Sequence, residues 1–144
     1  MIIHTTSEGM TLARQLENDS AKFYEELAQR HAKDTETFLS FAKDNKKNIT
    51  HIERVYFGVI TDAIEGCFAF NLETDDYTLK TAISAGATYA DAVKRALAIE
   101  DTIIKFYSDA AEQSKPLMAD LPRAFMLMAK KRESRKLKLQ SLLQ

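Results

Sequence analysis

Glu17-Asn18-Asp19-Ser20-Ala21-Lys22-Phe23-Tyr24 and Glu100-Asp101-Thr102-Ile103-Ile104-Lys105-Phe106-Tyr107 open on the same acid and close on the same Lys-Phe-Tyr triplet. The shift between them is 83 residues, from 17 to 100. The same shift carries Ala13 onto Ala96 and Leu16 onto Ile99. A second stretch follows each of these: Phe38 with Ala42-Lys43, and Phe125 with Ala129-Lys130, 87 residues apart (38 to 125). One such coincidence is easily produced by chance, since Ala and Lys abound in helices. Two in the same order at nearly the same shift point to a duplicated helical hairpin.

The apolar spacing supports helices on both sides of each repeat. Ala13, Leu16, Ser20, Phe23, Tyr24 and Leu27 recur at three- and four-residue steps after Ser7, which is read as the N-cap. Phe38, Phe41, Ile52, Val55 and Val59 mark a second stripe, and Ala92, Ala96, Ile99, Ile103, Phe106, Tyr107 and Ala110 a third. Asp120, with Pro122 in the first turn, opens a fourth stripe of Phe125, Met128, Leu139 and Leu142. Helices are therefore expected over about 7–31, 35–64, 88–113 and 120–143. Periodicity fades over about 65–87, a connection suited to crossing a bundle end to end, with a helical turn expected at Leu79 to Ser84. The expectation is an all-α, single-domain four-helix bundle over residues 1–144, made of two related hairpins joined by a long crossover.

Composition agrees with a soluble helical domain. The chain has 144 residues, 45% hydrophobic and 28% charged, with four Gly and two Pro, too little turn punctuation for an all-β fold. Twenty basic and twenty-one acidic side chains nearly cancel, so no global field draws it to nucleic acid or to an anionic membrane. No stretch approaches the roughly 18 apolar residues of a membrane span, and a cytoplasmic location is expected. The single cysteine, Cys67, has no partner for an internal disulfide and reads as a small buried hydrophobe or a bystander.

Helical spacing also assigns directions to the polar residues. Glu17 falls in line with Ala13, Ser20, Tyr24 and Leu27, and Glu100 with Ala96, Ile103, Tyr107 and Ala110, so both acids point inward. Asn45 and Asn48 lie between Phe41 and Ile52 at steps of four, three and four. Arg132 and Arg135 lie between Met128 and Leu139 with the same steps. His51 is about 60° off the Asn45/Asn48 line and is read as a rim histidine. Lys130, Lys131, Lys136 and Lys138 are read as a solvated basic face near a helix C-terminus.

On these residues the chain resembles the rubrerythrin branch of the ferritin-like superfamily, over essentially its whole length. The resemblance rests on Glu17 with Phe23-Tyr24, Glu100 with Phe106-Tyr107, and the lead-ins Phe38 to Ala42 and Phe125 to Ala129. It implies a ferritin-like bundle, pairing into a homodimer, and a di-iron centre built from one Glu on each of two helices and a Glu-x-x-His pair on each of the other two. In this chain those pairs have become Asn45-x-x-Asn48 and Arg132-x-x-Arg135, so two of six ligand positions keep a ligand. The four cysteines of a rubredoxin-like segment are also absent.

Four carboxylates with two neutral histidines carry four negative charges, which two divalent ions balance. Here Glu17 and Glu100 face Arg132 and Arg135, so the same volume is neutral without a metal. Arg offers no lone pair, and Asn is a weak neutral ligand. The reading adopted is a degenerate di-iron site holding a hydrogen-bonded Glu/Arg/Asn network, with Tyr24 and Tyr107 one layer away, no catalytic residue and no cofactor. The chain is then a non-catalytic scaffold or interaction protein. The alternative is an iron-dependent oxidoreductase or peroxidase of the rubrerythrin type, in which Glu17 and Glu100 recruit water or an off-register ligand such as Asp44. A third possibility makes the two arginines a pocket for a small anion.

Overall fold

The structure, a computed structural model, describes residues 1–59, 68–116 and 120–143. Four long helices dominate it: α1 (Thr6–Arg30), α2 (Thr35–Val59), α3 (Tyr89–Ser114) and α4 (Asp120–Ser141). The expected helices are all present. Cys67 and the expected last turn of the second helix, residues 60–64, lie outside the described residues. No helix among the described residues is long and apolar enough to cross a membrane.

α1 starts one residue before the expected start, and Thr5 rather than Ser7 is its N-cap. Thr5 is extended (φ −93°, ψ 156°); its hydroxyl accepts from the Glu8 N–H, and Glu8 reaches back to the Thr5 N–H at 3.0 Å. That reciprocal capping box satisfies two donors that the first turn leaves free. Thr88 and Asp91 form the same device at the start of α3. Each is a Thr-x-x-acid signature, so the correct cap was legible and Ser7 lost to it.

α1 packs most extensively along α2, and α3 along α4, with α2 also touching α4 and α1 touching α3. One core cluster takes side chains from all four helices, among them Leu16, Leu27, Phe38, Ile52, Ile103, Phe106, Phe125 and Leu139. Each fully buried Leu, Ile or Phe contributes about 1.5–3 kcal/mol through the apolar surface it removes from water.

The connection between α2 and α3 differs from expectation. Phe68–Glu73 is a strand, β2, paired antiparallel with an N-terminal strand β1 (Ile2–Thr5), in a register that sets Ile2 opposite Glu73 and Ile3 opposite Leu72. A 3-10 turn, Thr74–Tyr77, follows. Leu79 to Ser84, expected as a helical turn, has no regular structure. Phe70 and Leu72 are buried while Asn71 between them is exposed, an alternation that was present in the sequence but short. The ribbon lies against α1 so closely that a Cβ on Gly9 would stand 2.7 Å from the Phe70 ring, so any larger residue there must displace that ring. Tyr77 donates to Asp109 Oδ2 at 2.6 Å, and Arg30 donates to the carbonyls of Ile83 and Ser84, each at 3.2 Å, pinning the long connection to α3 and α1.

Candidate functional site: a buried Glu/Arg/Asn network

Midway along the helices, Glu17 of α1, Asn45 of α2, Glu100 of α3 and Arg132 of α4 have no exposed surface at all. Asn48 and Arg135 are also buried. All six residues singled out in the sequence therefore face the interior. Their mutual contacts decide what the site can do.

The Arg132 guanidinium lies between the two acids. Nη1 donates to both oxygens of Glu100, at 3.0 and 2.8 Å, while Nη2 donates to Glu17 Oε2 and, at 3.1 Å, to the Ser20 hydroxyl. Burial opposes the charge on Arg132, but Glu100 and then Glu17 outweigh it and hold the guanidinium above its ordinary range. Its Nε is buried with no hydrogen-bond partner.

The tyrosines cross between the repeats. Tyr24 of α1 donates to Glu100 Oε2 of α3 at 2.8 Å, and Tyr107 of α3 donates to Glu17 Oε1 of α1 at 2.6 Å. These four residues are the repeated pairs 17/24 and 100/107, so each copy of the motif completes the hydrogen bonding of the other. Burial first, and then the facing carboxylate, push both phenols well above their ordinary range.

Arg135 departs from expectation. It was expected to balance a glutamate, yet its nearest carboxylate oxygen, Glu100 Oε2, is 3.9 Å away. Instead Nη1 donates to Asn45 Oδ1 at 2.6 Å and Nη2 to the Phe41 carbonyl at 3.2 Å, with the guanidinium 4.8 Å from the Phe41 ring centre and 5.3 Å from that of Tyr24. Burial, and then repulsion from Arg132, lower its pKa from the ordinary value. Asn45 in turn donates to the Glu17 carbonyl at 3.0 Å and to Ser20. Asn48 takes no part in these hydrogen bonds.

Sequence reasoning missed Ser20 as a member. Its hydroxyl donates to the Glu17 carbonyl at 3.1 Å and accepts from Arg132 and Asn45. A polar residue on the α1 stripe was the available signal, and its counterpart in the second repeat is Ile103. This asymmetry gives Nη2 of Arg132 an extra partner on the α1 side. His51 is half-buried at the surface, as a rim residue. On the basic face of α4, Lys136 pairs with Asp101 at 2.7 Å, and Lys130, Lys131 and Lys138 are exposed.

The pH behaviour follows from the tyrosines. A phenol whose pKa is raised by folding stabilises the fold below its unfolded value of about 10, and that stabilisation is lost as pH rises toward the folded value. Tyr24 and Tyr107 are therefore expected to ionise only as the protein unfolds in alkali. In a spectrophotometric titration, the part of the tyrosinate signal that Tyr24→Phe/Tyr107→Phe removes should appear together with the loss of helical circular dichroism. If that part appears while the helices persist, the two hydroxyls are not held as described.

Among the described residues no three His, Cys, Asp or Glu side chains come together as a metal-binding group. Comparisons with known proteins found no matching family model, no matching curated protein and no matching solved structure.

Proposed function

We propose that the chain is a rubrerythrin-related, ferritin-like four-helix bundle, duplicated from one hairpin, whose di-iron centre has given way to an internal ion-pair network. It acts as a non-catalytic scaffold or interaction protein, as a homodimer, in the cytoplasm. The observation that carries this reading is the position of Arg132, whose guanidinium bridges Glu17 and Glu100 where the resemblance calls for the bridging cations.

The donor chemistry does not fit a di-iron centre. Both carboxylates already accept from Arg132 and from a tyrosine, and the Asn45 oxygen accepts from Arg135. Arginine brings no lone pair to the remaining positions. A metal would have to displace a buried, doubly paired guanidinium.

Metal analysis after expression in iron-supplemented medium tests the reading. The expected result is no stoichiometric iron. About two irons per chain, with near-ultraviolet oxo-iron absorption, would instead establish an iron oxidoreductase or peroxidase with an atypical site. The complementary experiment restores the motif through Asn45→Glu, Asn48→His, Arg132→Glu and Arg135→His. Gain of iron by this variant supports the inferred alignment of the six positions; a folded variant without iron counts against it.

A further inference from the structure

Beside the buried network, the surface between α2 and α4 opens into a cleft of about 430 Å³. Lys47 and Asn48 come to it from α2 and Lys131, Arg135 and Lys138 from α4, with Asp44 as the one acid. The residues recur at three- and four-residue steps on each helix, which places them along facing stripes one row out from the core. None of the three lysines, nor Asp44, forms an ion pair among the described residues, and all three lysines are exposed.

Two of the groups are built into the protein. Arg135 is 7% exposed and Asn48 3%, and both line the cleft. Arg135 spends two donors on neutral oxygens, those of Asn45 and Phe41, and sits 3.9 Å from its nearest carboxylate. A guanidinium has five N–H donors, so donors remain for a ligand. Asn48 lines the cleft and its amide makes no hydrogen bond to the described residues, which leaves both its donor and its acceptor available to a ligand. Four cations against one carboxylate, with an unengaged amide and an incompletely neutralised guanidinium at the base, describe a receptor for negative charge.

We propose that this cleft binds a small oxyanion of the phosphate class, received by Asn48 and Arg135 at its base and by Lys47, Lys131 and Lys138 at its mouth. The size of the cleft suits a phosphate group or a small phosphorylated molecule, and its polar base provides directed hydrogen bonds that a merely solvated basic face lacks.

The test measures thermal unfolding and binding calorimetry with inorganic phosphate and with glycerol phosphate, each against chloride at equal ionic strength. At a ligand concentration roughly ten times Kd, Tm should rise by about 4–5 °C. Whichever of the two binds more tightly identifies free phosphate or an esterified phosphate as the source of the group. Lys131→Gln/Lys138→Gln alters exposed residues and should fold normally while losing about tenfold or more in affinity. Asn48→Asp keeps the shape of the base, adds a like charge and should lose at least as much. Lys22→Gln/Lys80→Gln makes the same charge change at exposed positions elsewhere and should leave binding unchanged. No stabilisation beyond chloride, or an equal loss in both lysine pairs, would overturn the proposal, the second by reducing it to a general effect of net charge.

Discussion

Arg132→Ala should lower stability by about 3–5 kcal/mol, among the largest effects available to a single substitution in this chain. The residue has no exposed surface, and it alone stands between Glu17 and Glu100. Its truncation leaves two acids buried together, each with one tyrosine hydroxyl and neither hydrogen-bonded to a cation, the nearest being Arg135 at 3.9 Å from Glu100. It also leaves a cavity the size of a long side chain, which adds to the cost. For a domain of this length the loss corresponds to a fall in Tm of about 10–15 °C. Arg132→Lys should fall between the variant and the wild type, because one ammonium keeps the charge but not the planar fork that reaches two carboxylates. Arg135→Ala should cost less than Arg132→Ala, since Arg135 holds neutral oxygens and leaves no acid unpaired. Equal losses at the two arginines, or an unchanged Tm for Arg132→Ala, would show that the charge bridge is not where the energy lies.

Replacing the whole network should be milder than removing its centre. A variant with Glu17→Leu, Glu100→Leu and Arg132→Met, together with Tyr24→Phe and Tyr107→Phe so that no phenol is stranded, is expected to lie within about 2 kcal/mol of the wild type or above it. Burying two carboxylates and a guanidinium costs several kcal/mol per ion in desolvation, and their mutual attraction does little more than offset it. Apolar groups of similar volume avoid that cost and keep the dispersion contacts. Five substitutions would then do less harm than one. Denaturant unfolding measures this directly, and a loss exceeding that of Arg132→Ala would mean that the network stabilises the fold in its own right. The same variant addresses what the network is for. Directional hydrogen bonds from Arg132 and the crossed tyrosines admit one axial alignment of four helices, whereas Leu, Met and Phe pack acceptably in several. Broadened amide resonances in a stable apolar variant are the expected sign of that lost specificity.

Much of the fold and of the buried network is legible in the sequence. The stripes mark the four helices, because burying one face of a helix imposes a period that a single sequence displays. The same period turns Glu17, Glu100, Asn45, Asn48, Arg132 and Arg135 inward, and all six are buried. The β1/β2 ribbon escapes such a reading because the four residues of Ile2–Thr5 are too few to show a period, and their partner Phe68–Glu73 is remote in sequence. Leu79 to Ser84 is expected to form a helical turn, yet the segment runs without regular structure, and Arg30 of α1 holds the carbonyls of Ile83 and Ser84 at its end.

The pattern of residues along the chain by itself determined that four amphipathic helices form, that the motif around Glu17 recurs around Glu100, and that their polar side chains face inward. Only the tertiary structure decided that Arg132 rather than Arg135 takes both carboxylates, that Tyr24 and Tyr107 exchange acceptors, that Ser20 joins them, and that Asn48 and Arg135 open onto a basic cleft. The reason is geometric: helical periodicity sets a side chain's direction about its own axis, while its partner depends on how far neighbouring helices are rotated and slid against one another.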